Sequence, residues 1–216
     1  MCSGRVDSVI ILEAFLSKAD GVFVGACRRG ECHYISGNLQ AEGKVNLTKR
    51  VLSFLGLNPK RLMMEWMSSA EADSFVKYVT SFQEEIKGLG PLGIGEGIGA
   101  EELRLKLLAA QRALEGRKLR WVVSKRLEFR DKGNLYNEVF TEHEISRLFD
   151  EVVMDECTAQ EILLRVKREP LSAKTLSSVM NMPSSRVLRH LAEMKRMGLV
   201  SVSIGDGGRG PLWQAV

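Results

Sequence analysis

Two short apolar runs, each followed by a helix-length segment, constrain the fold of this chain most strongly. Val22–Ala26 and Leu62–Trp66 have the length and composition of buried strands. Residues 7 to 18 predict a helix before the first run, with Asp7 as its N-cap, and Leu39–Leu55 predict a second helix between the runs. Strands joined by helices pair in parallel, so we predict an α/β fold with a small parallel sheet flanked by helices.

Helix signals also bracket the second run. Gly56 is expected to end the helix before it as the C′ residue. Ser68 to Glu71 are expected to open the helix after it. Its apolar side chains recur at helical spacing and are predicted to face the core: Phe75, Tyr78, Val79, Phe82 and Ile86.

A glycine-rich stretch, residues 88 to 102, separates this region from the rest of the chain. Its GIGEGIG segment could be aligned with a phosphate-binding glycine loop, but no strand precedes it, so we interpret the stretch as a linker. Helical patterns follow at 101–115 and 141–153, whereas 117–128 predict a helix or a strand. The domains expected are an α/β domain at 1–92, a linker at 93–100, a helical connector at 101–156 and a C-terminal domain at 157–216.

The last sixty residues predict a mainly α winged helix-turn-helix domain. Their helices are predicted at 158–168, at 173–180 with Ser172 as N-cap, and from Ser184, again as N-cap, to Gly198. A hairpin pairing Leu199–Val202 with Leu212–Ala215 would follow, with Arg209 at its tip. The expected core is Leu176, Val179, Val187, Leu188, Leu191 and Met194.

Positive charge is concentrated in this C-terminal domain. Residues 157–216 carry nine Lys/Arg and four Asp/Glu, a net charge of +5, whereas the remainder carries 22 and 23, a net of −1. The third helix holds a possible docking or DNA surface: Arg186, Arg189, Lys195 and Arg196. His190 on that helix and His143 on an earlier one are expected to be solvated.

Composition predicts the cellular compartment, and so the redox conditions, in which the four cysteines act. An apolar fraction of 44% with 27% charged residues is typical of a soluble globular protein, and no apolar run approaches the roughly 20 residues that span a bilayer. No export signal opens the chain, so we expect a cytoplasmic protein, no membrane contact and no disulfides.

Three of the cysteines are placed to converge. Cys2 precedes the first helix, Cys27 ends the first strand and Cys32 lies in the loop after it, at the sheet edge where ligands collect. Clustered thiolates suit zinc or an iron–sulfur cluster, either of which takes four ligands, and Cys157 is remote in sequence. Small cysteines also pack simply as apolar side chains, and spacing alone leaves both readings open.

Several motifs carry a resemblance to a known family. The stretches MCSGRVD, ADGVFVGACRRGECHYISGN, WMSSAEADSFVKYVTSF and IKGLGPL resemble, in order and spacing, the delta subunit of methyl-viologen-reducing hydrogenase. The resemblance covers residues 1 to about 92. It implies an iron–sulfur protein that hands electrons to heterodisulfide reductase, with a 2Fe–2S cluster and with Cys2, Cys27 and Cys32 at three of the family's motif cysteines.

The sequence departs from that family in two respects. Family members have a strand and two further cysteines ahead of MCSGR, so we expect that this chain starts late and that the fourth ligand lies upstream. His33 could replace that ligand or tune the cluster, although a plain loop histidine is the preferred interpretation. The second departure is the extension from residue 93 to 216.

Two functional hypotheses follow, and a third, minor one is that the chain is an inactive fragment without a cluster. The first is a non-catalytic electron-transfer subunit between a hydrogenase, formate dehydrogenase or other oxidoreductase and the flavin- and iron–sulfur-containing subunit of a heterodisulfide reductase-like complex. In that case the winged helix is interpreted as a protein-docking module rather than a DNA reader. The alternative is a redox- or metal-responsive transcription regulator whose winged helix binds DNA.

Overall fold

The structure is a computed structural model that divides into two compact units, Met1–Glu156 and Cys157–Val216. The residues that it describes are 2–68, 70–134, 136, 138–204 and 210–216.

Helices make up most of the described chain, with two small sheets. The helices are α1 (Ser8–Leu16), α2 (Gly37–Phe54), α3 (Ala72–Leu89), α4 (Ala100–Glu115), α5 (Arg117–Asp131), α6 (Glu142–Arg168), α7 (Ala173–Val179) and α8 (Ser184–Arg196). The strands are β1 (Val22–Ala26), β2 (Leu62–Trp66), β3 (Leu171–Ser172), β4 (Val200–Ile204) and β5 (Pro211–Ala215). Short 3-10 turns cover Ser3–Arg5 and Pro59–Arg61. None of the helices in the described part of the chain has both the length and the apolar character needed to cross a membrane.

The N-terminal unit contains the predicted parallel sheet. Strands β1 and β2 pair in parallel, with Val22 opposite Leu62 and Ala26 opposite Trp66. Asp7 caps α1 as predicted, because its carboxylate accepts a 3.0 Å hydrogen bond from the backbone N–H of Val9. The shared register of the two strands brings their carboxyl ends to the same edge of the sheet.

The core of this unit joins the sheet to helices from both sides of the glycine-rich segment. Helix α4 packs against α1, and α5 contacts α2 and α4. Fully buried apolar side chains include Leu12, Val51, Leu52, Leu62, Ala110 and Leu119. On α3 only Phe82 is buried, while Phe75 is half-exposed beside the ring of Phe23, so its predicted core position is wrong.

An ion pair fixes the glycine-rich segment to the N-terminal unit. Arg61 is fully buried, and its Nε donates a 2.6 Å hydrogen bond to Glu96, which is itself nearly buried. The same guanidinium donates to the carbonyl oxygens of Asp20 and Gly90, both at 2.9 Å. A Cβ at Gly95 would lie 2.1 Å from the carbonyl oxygen of Leu89, so the chain passes here too closely for a side chain. This part of the expected linker is therefore held in place by a buried cation.

Helix α6 is longer than the sequence analysis predicted. Two helices were expected, at 141–153 and 158–168, but Glu142–Arg168 form one continuous helix. The sequence in this range contains no proline or glycine that would interrupt it. Residues 154–157, between the two predicted helices, are compatible with helix, and Thr158, the first residue of the second predicted helix, is fully buried.

The C-terminal unit packs α7 and α8 with a three-stranded antiparallel sheet. The strand order is β3-β5-β4, and Val202 lies opposite Trp213. The predicted pairing of the last two strands is confirmed, whereas β3 was not predicted. Ser172 caps α7 as predicted, but Pro183 rather than Ser184 is the N-cap of α8.

The core of this unit differs from the predicted one at two positions. Leu176, Val187, Leu191 and Met194 are buried as predicted, together with Ile162, Val166 and Val200. Val179 and Leu188 are about half-exposed, so their predicted core positions are wrong. The prediction for His190 is also wrong, because only 4% of this residue is exposed. Arg209, predicted at the hairpin tip, lies outside the described residues.

Candidate functional site

Two of the predicted cysteines meet beside the end of β1. The Sγ atoms of Cys2 and Cys32 are 3.9 Å apart. Cys2 precedes the 3-10 turn at Ser3–Arg5, and its sulfur accepts a 3.4 Å hydrogen bond from the backbone N–H of Gly4. Cys32 is buried, and its distance from Cys2 exceeds the roughly 2.05 Å of a covalent disulfide. The site is therefore a pair of free thiols.

The N-terminus of α2 makes room for these sulfur atoms. A Cβ at Gly37 would lie 2.4 Å from the Sγ of Cys2 and 3.4 Å from the Sγ of Cys32. A Cβ at Gly4 would lie 2.7 Å from the carbonyl oxygen of Gly37, so the two glycine backbones also pack directly on each other. Sequence reasoning missed both glycines; the only signal was their occurrence in the motifs that contain Cys2 and Cys32.

Backbone amides favour the charged form of Cys32. The backbone N–H of Asn38, at the start of α2, is the largest influence and lowers the pKa of the thiol. Burial opposes it, while the backbone N–H groups of Tyr34 and Gly37 and the thiol of Cys2 lower the pKa further. A helix N-terminus stabilises a thiolate in the same sense. The net effect is a pKa below the ordinary cysteine value.

Asn38 also holds the loop that follows β1. Its side chain is buried, and its Nδ2 donates hydrogen bonds to the carbonyl oxygens of Cys27, at 3.0 Å, and Arg28, at 2.9 Å. These bonds join the loop to α2, on which the sulfur atoms rest. Sequence reasoning did not identify this residue, because an asparagine in the first turn of a helix is ordinarily interpreted as a local cap.

Cys27 and the other candidate ligands are not gathered with the thiol pair. Cys27 is exposed, and Cys157 is buried in α6. His33 is exposed, with its ring edge-on to that of Tyr34 at 5.1 Å. In the described part of the chain, no three His, Cys, Asp or Glu side chains are grouped so as to hold a metal ion. Of the three cysteines expected to converge, the structure brings together Cys2 and Cys32.

The spacing of the pair nevertheless fits thiolate ligation. Two thiolates bound at about 2.3 Å to one tetrahedral metal ion stand about 3.8 Å apart. The observed 3.9 Å between Cys2 and Cys32 is close to this value. Soft sulfur ligands select zinc or iron–sulfur clusters, and N–H groups directed at sulfur are typical of such sites. The donor set and its surroundings fit two of the ligands of such a centre.

Charged and aromatic side chains surround the loop that carries Cys27. Arg28 pairs with Glu71, which precedes α3, and Arg29 pairs with Glu42 on α2. The guanidinium of Arg29 also stacks over the ring of Trp66, 5.1 Å from its centroid. These contacts connect the loop to both neighbouring helices and to the end of β2.

The four basic residues predicted to form a docking or DNA surface lie on α8 of the C-terminal unit. Arg189, Lys195 and Arg196 are exposed there, and Arg186 is half-buried.

Fold and site together define a class: a small α/β domain that presents a pair of thiols, one with a lowered pKa, at the carboxyl edge of a parallel sheet. Comparison with known proteins specifies it further. The chain belongs to the family of the methyl-viologen-reducing hydrogenase delta subunit, whose sequence model matches residues 1–90.

The relatives include heterodisulfide reductase and hydrogenase subunits. Over 93 residues the chain is 43% identical to a subunit of the ferredoxin:CoB-CoM heterodisulfide reductase of Methanosarcina mazei, and the match covers 43% of this chain and 12% of that protein. It is 39% identical over 99 residues to the F420-non-reducing hydrogenase vhc iron-sulfur subunit of Methanococcus voltae, covering 46% of this chain and 69% of the relative. The F420-non-reducing hydrogenase vhu iron-sulfur subunit of Methanopyrus kandleri is 46% identical over 91 residues, covering 42% of this chain and 69% of the relative.

The similarity is therefore confined to one part of each protein. The chain spans about an eighth of the length of the heterodisulfide reductase relative and about two thirds of the length of the hydrogenase relatives. The family match ends at residue 90, before α4.

Proposed function

We propose that this protein is an electron-transfer subunit whose N-terminal domain holds a 2Fe–2S cluster through Cys2, Cys27 and Cys32. The observation that carries the proposal is the 3.9 Å thiol pair of Cys2 and Cys32, set against the glycine that begins α2. Membership of a hydrogenase subunit family supports it, as do relatives named as iron–sulfur subunits.

The proposed cluster would supply a one-electron redox couple, for which this chain provides ligands and a polar setting. Cys2 and Cys32 would be two neighbouring ligands. Cys27, which stands apart from them in this structure, would be the third and would be brought to the cluster by the loop that Asn38 ties to α2. A 2Fe–2S cluster takes four ligands, so one ligand besides these three is required. Backbone N–H groups at Gly4 and at the start of α2 would stabilise negative charge on the sulfur atoms and thereby raise the reduction potential.

The partners proposed for this protein follow from the family resemblance, and the names of its relatives support the hydrogenase and the heterodisulfide reductase among them. Electrons would pass between a hydrogenase or another oxidoreductase and the flavin- and iron–sulfur-containing subunit of a heterodisulfide reductase-like complex. In this arrangement the protein performs no bond chemistry of its own and relays single electrons.

We further propose that the C-terminal unit is a winged helix-turn-helix domain used for protein docking. Its order α7, α8, β4, β5, with α8 preceding a two-stranded hairpin, supports the assignment. Exposed Arg189, Lys195 and Arg196 on α8 offer a basic surface to an acidic partner. The same surface is what a DNA-binding regulator would use, so DNA is the alternative outcome of the test below.

Iron content tests the cluster. The parent for this test would be the chain extended upstream of Met1, so that the fourth ligand can be included. It would be produced and purified without oxygen, and its iron and acid-labile sulfide would be measured beside those of Cys2→Ser, Cys32→Ser and Cys157→Ala variants. We expect iron and sulfide in the parent and in Cys157→Ala, because Cys157 is a buried thiol of the C-terminal unit. Cys2→Ser and Cys32→Ser should both lose iron and sulfide. Equal iron in all four proteins, or none in the parent, would contradict the proposal.

A gel-shift titration tests the use of α8. The full chain would be mixed with duplex DNA at several salt concentrations, beside an Arg189→Gln/Arg196→Gln variant. We expect only weak, sequence-independent retardation. A tight complex whose affinity falls steeply with salt and is lost in the variant would favour the regulator.

A further inference from the structure

A cavity outside the thiol site lies among α2, α5 and the first turns of α6, within the N-terminal unit. Its volume is about 780 Å³, which falls within the range of roughly 300 to 1,000 Å³ of small-molecule sites. No cysteine lines it, so it is separate from the thiol pair. Its walls are partly apolar, through Ile145, Phe149 and Val153 of α6.

One guanidinium nitrogen in this cavity is unpaired within the part of the chain that the structure describes. The Nη1 of Arg126, on α5, is buried and lacks a hydrogen-bond partner among the described residues. It lies against the bare backbone of α2, since a Cβ at Gly43 would be 3.8 Å from it. Leaving a buried donor unsatisfied costs about 1 to 3 kcal/mol, and more for a charged group. Such a group is expected to have a ligand.

The other charged residues that line the cavity leave it with a net positive charge near Arg126. Arg50 is neutralised by Asp150 and also donates to the hydroxyl of Ser146 at 2.8 Å. Lys49 lines the same cavity and has no ion pair within the described residues. Glu142 also lines it, yet forms no ion pair with Arg126 there. Among the described residues, the unpaired cations Arg126 and Lys49 therefore line the cavity together with one exposed carboxylate, that of Glu142.

We propose that this cavity binds a small organic oxyanion, a phosphate or carboxylate attached to an apolar group. The guanidinium of Arg126 binds the oxyanion, Lys49 adds a second positive charge, and the apolar wall of α6 receives the remainder of the ligand. The planar fork of an arginine suits either oxyanion, so the chemistry of recognition is shared by both.

Titration calorimetry on the full chain tests this site with three probes that share a ring: phenyl phosphate, phenylacetate and benzyl alcohol. We expect at least one of the two anions to bind and the alcohol not to bind. Whichever anion binds more tightly identifies the oxyanion. An Arg126→Gln variant should bind at least about tenfold more weakly, which is the loss expected for one charge-assisted hydrogen bond.

A matched control lies on the same helix. Arg117 begins α5, is exposed and does not line the cavity, so Arg117→Gln should bind as the parent does. If circular dichroism shows that Arg126→Gln is unfolded, Lys49→Gln takes its place and should also bind more weakly. The inference is overturned if neither anion binds the parent, or if the folded variant binds as tightly as the Arg117 control. Iron content is independent of this result, so failure here leaves the proposed cluster untouched.

Discussion

Replacing Gly37 by alanine should disrupt the thiol site through a single methyl group. The added Cβ would lie 2.4 Å from the Sγ of Cys2. Comfortable contact between such atoms needs about 3.5 to 4.0 Å, so the sulfur or the start of α2 must move by more than about 1 Å. The 3.9 Å spacing of Cys2 and Cys32 cannot survive such a movement unchanged.

The energetic size of this change follows from two opposing effects. Overpacking of this kind costs about 1 to 3 kcal/mol. Alanine within a helix is favoured over glycine by about 0.5 to 1 kcal/mol. Gly43→Ala, on the same helix, supplies the second effect without the first, because its Cβ would make only ordinary contact, 3.6 Å from Val123. We therefore expect the free energy of unfolding of Gly37→Ala to be lower than that of Gly43→Ala by about 1 to 3 kcal/mol.

Urea denaturation followed by far-UV circular dichroism, on metal-free reduced protein, measures this difference. A Cys2→Ala background supplies the decisive comparison, because removing the sulfur removes the principal clash. In the Cys2→Ala background, Gly37→Ala should lower the free energy of unfolding much less. The reasoning is refuted if Gly37→Ala and Gly43→Ala are equally stable, or if the cost of Gly37→Ala is undiminished without the Cys2 sulfur.

Three further predictions concern ionisation and loop anchoring. Because its pKa is lowered, Cys32 should remain a thiolate to lower pH than an ordinary cysteine does. Alkylation of the metal-free protein over a pH series, located by mass spectrometry, should give a midpoint below that of a cysteine in an unstructured peptide. A midpoint at or above the peptide's would contradict the prediction. Glu96→Gln leaves the buried Arg61 without its counter-charge and should destabilise the N-terminal unit by about 3 to 5 kcal/mol in urea melts at pH 7, whereas an unchanged midpoint would show that the pair is dispensable. Burial by itself raises the pKa of Glu96, but the hydrogen bonds from Arg61 and from the backbone outweigh it and lower that pKa, so the stabilisation is complete above the ordinary carboxylate range and is lost as pH falls through the lowered value. Asn38→Ala removes two hydrogen bonds to the loop after β1 and should cost about 1 to 3 kcal/mol, with faster proteolysis around Cys27; unchanged cleavage would argue against an anchoring role.

The secondary structure was predictable wherever local signals were strong. Strands β1 and β2 have the predicted bounds, because short apolar runs between turn signals leave few alternatives. The break predicted within α6 was wrong although the signal was available, since no proline or glycine interrupts that range. His190 was likewise open to better prediction, because it lies three residues after Val187 and four before Met194, on the buried face of α8.

The site was predictable in its residue types but not in its geometry. The motifs indicated Cys2, Cys27 and Cys32 as candidates, and their positions favoured convergence at the sheet edge. Which two sulfur atoms come close depends on how Gly4 and Gly37 pack on each other, a contact between residues far apart in sequence. The same holds for Arg61 and Glu96, whose partnership no local pattern indicates.

By itself, the sequence determined the alternation of helix and strand, the family to which the chain belongs and the cysteines that can act as ligands, because each of these depends on residues close together in the chain. Only the tertiary structure decided that Cys2 and Cys32 stand 3.9 Å apart, that Asn38 holds the loop of Cys27, and that the Nη1 of Arg126 lies in a cavity with no hydrogen-bond partner from the described part of the chain. Each of these depends on distances between elements remote in sequence, which are fixed by the packing of α2 against its neighbours rather than by local preference.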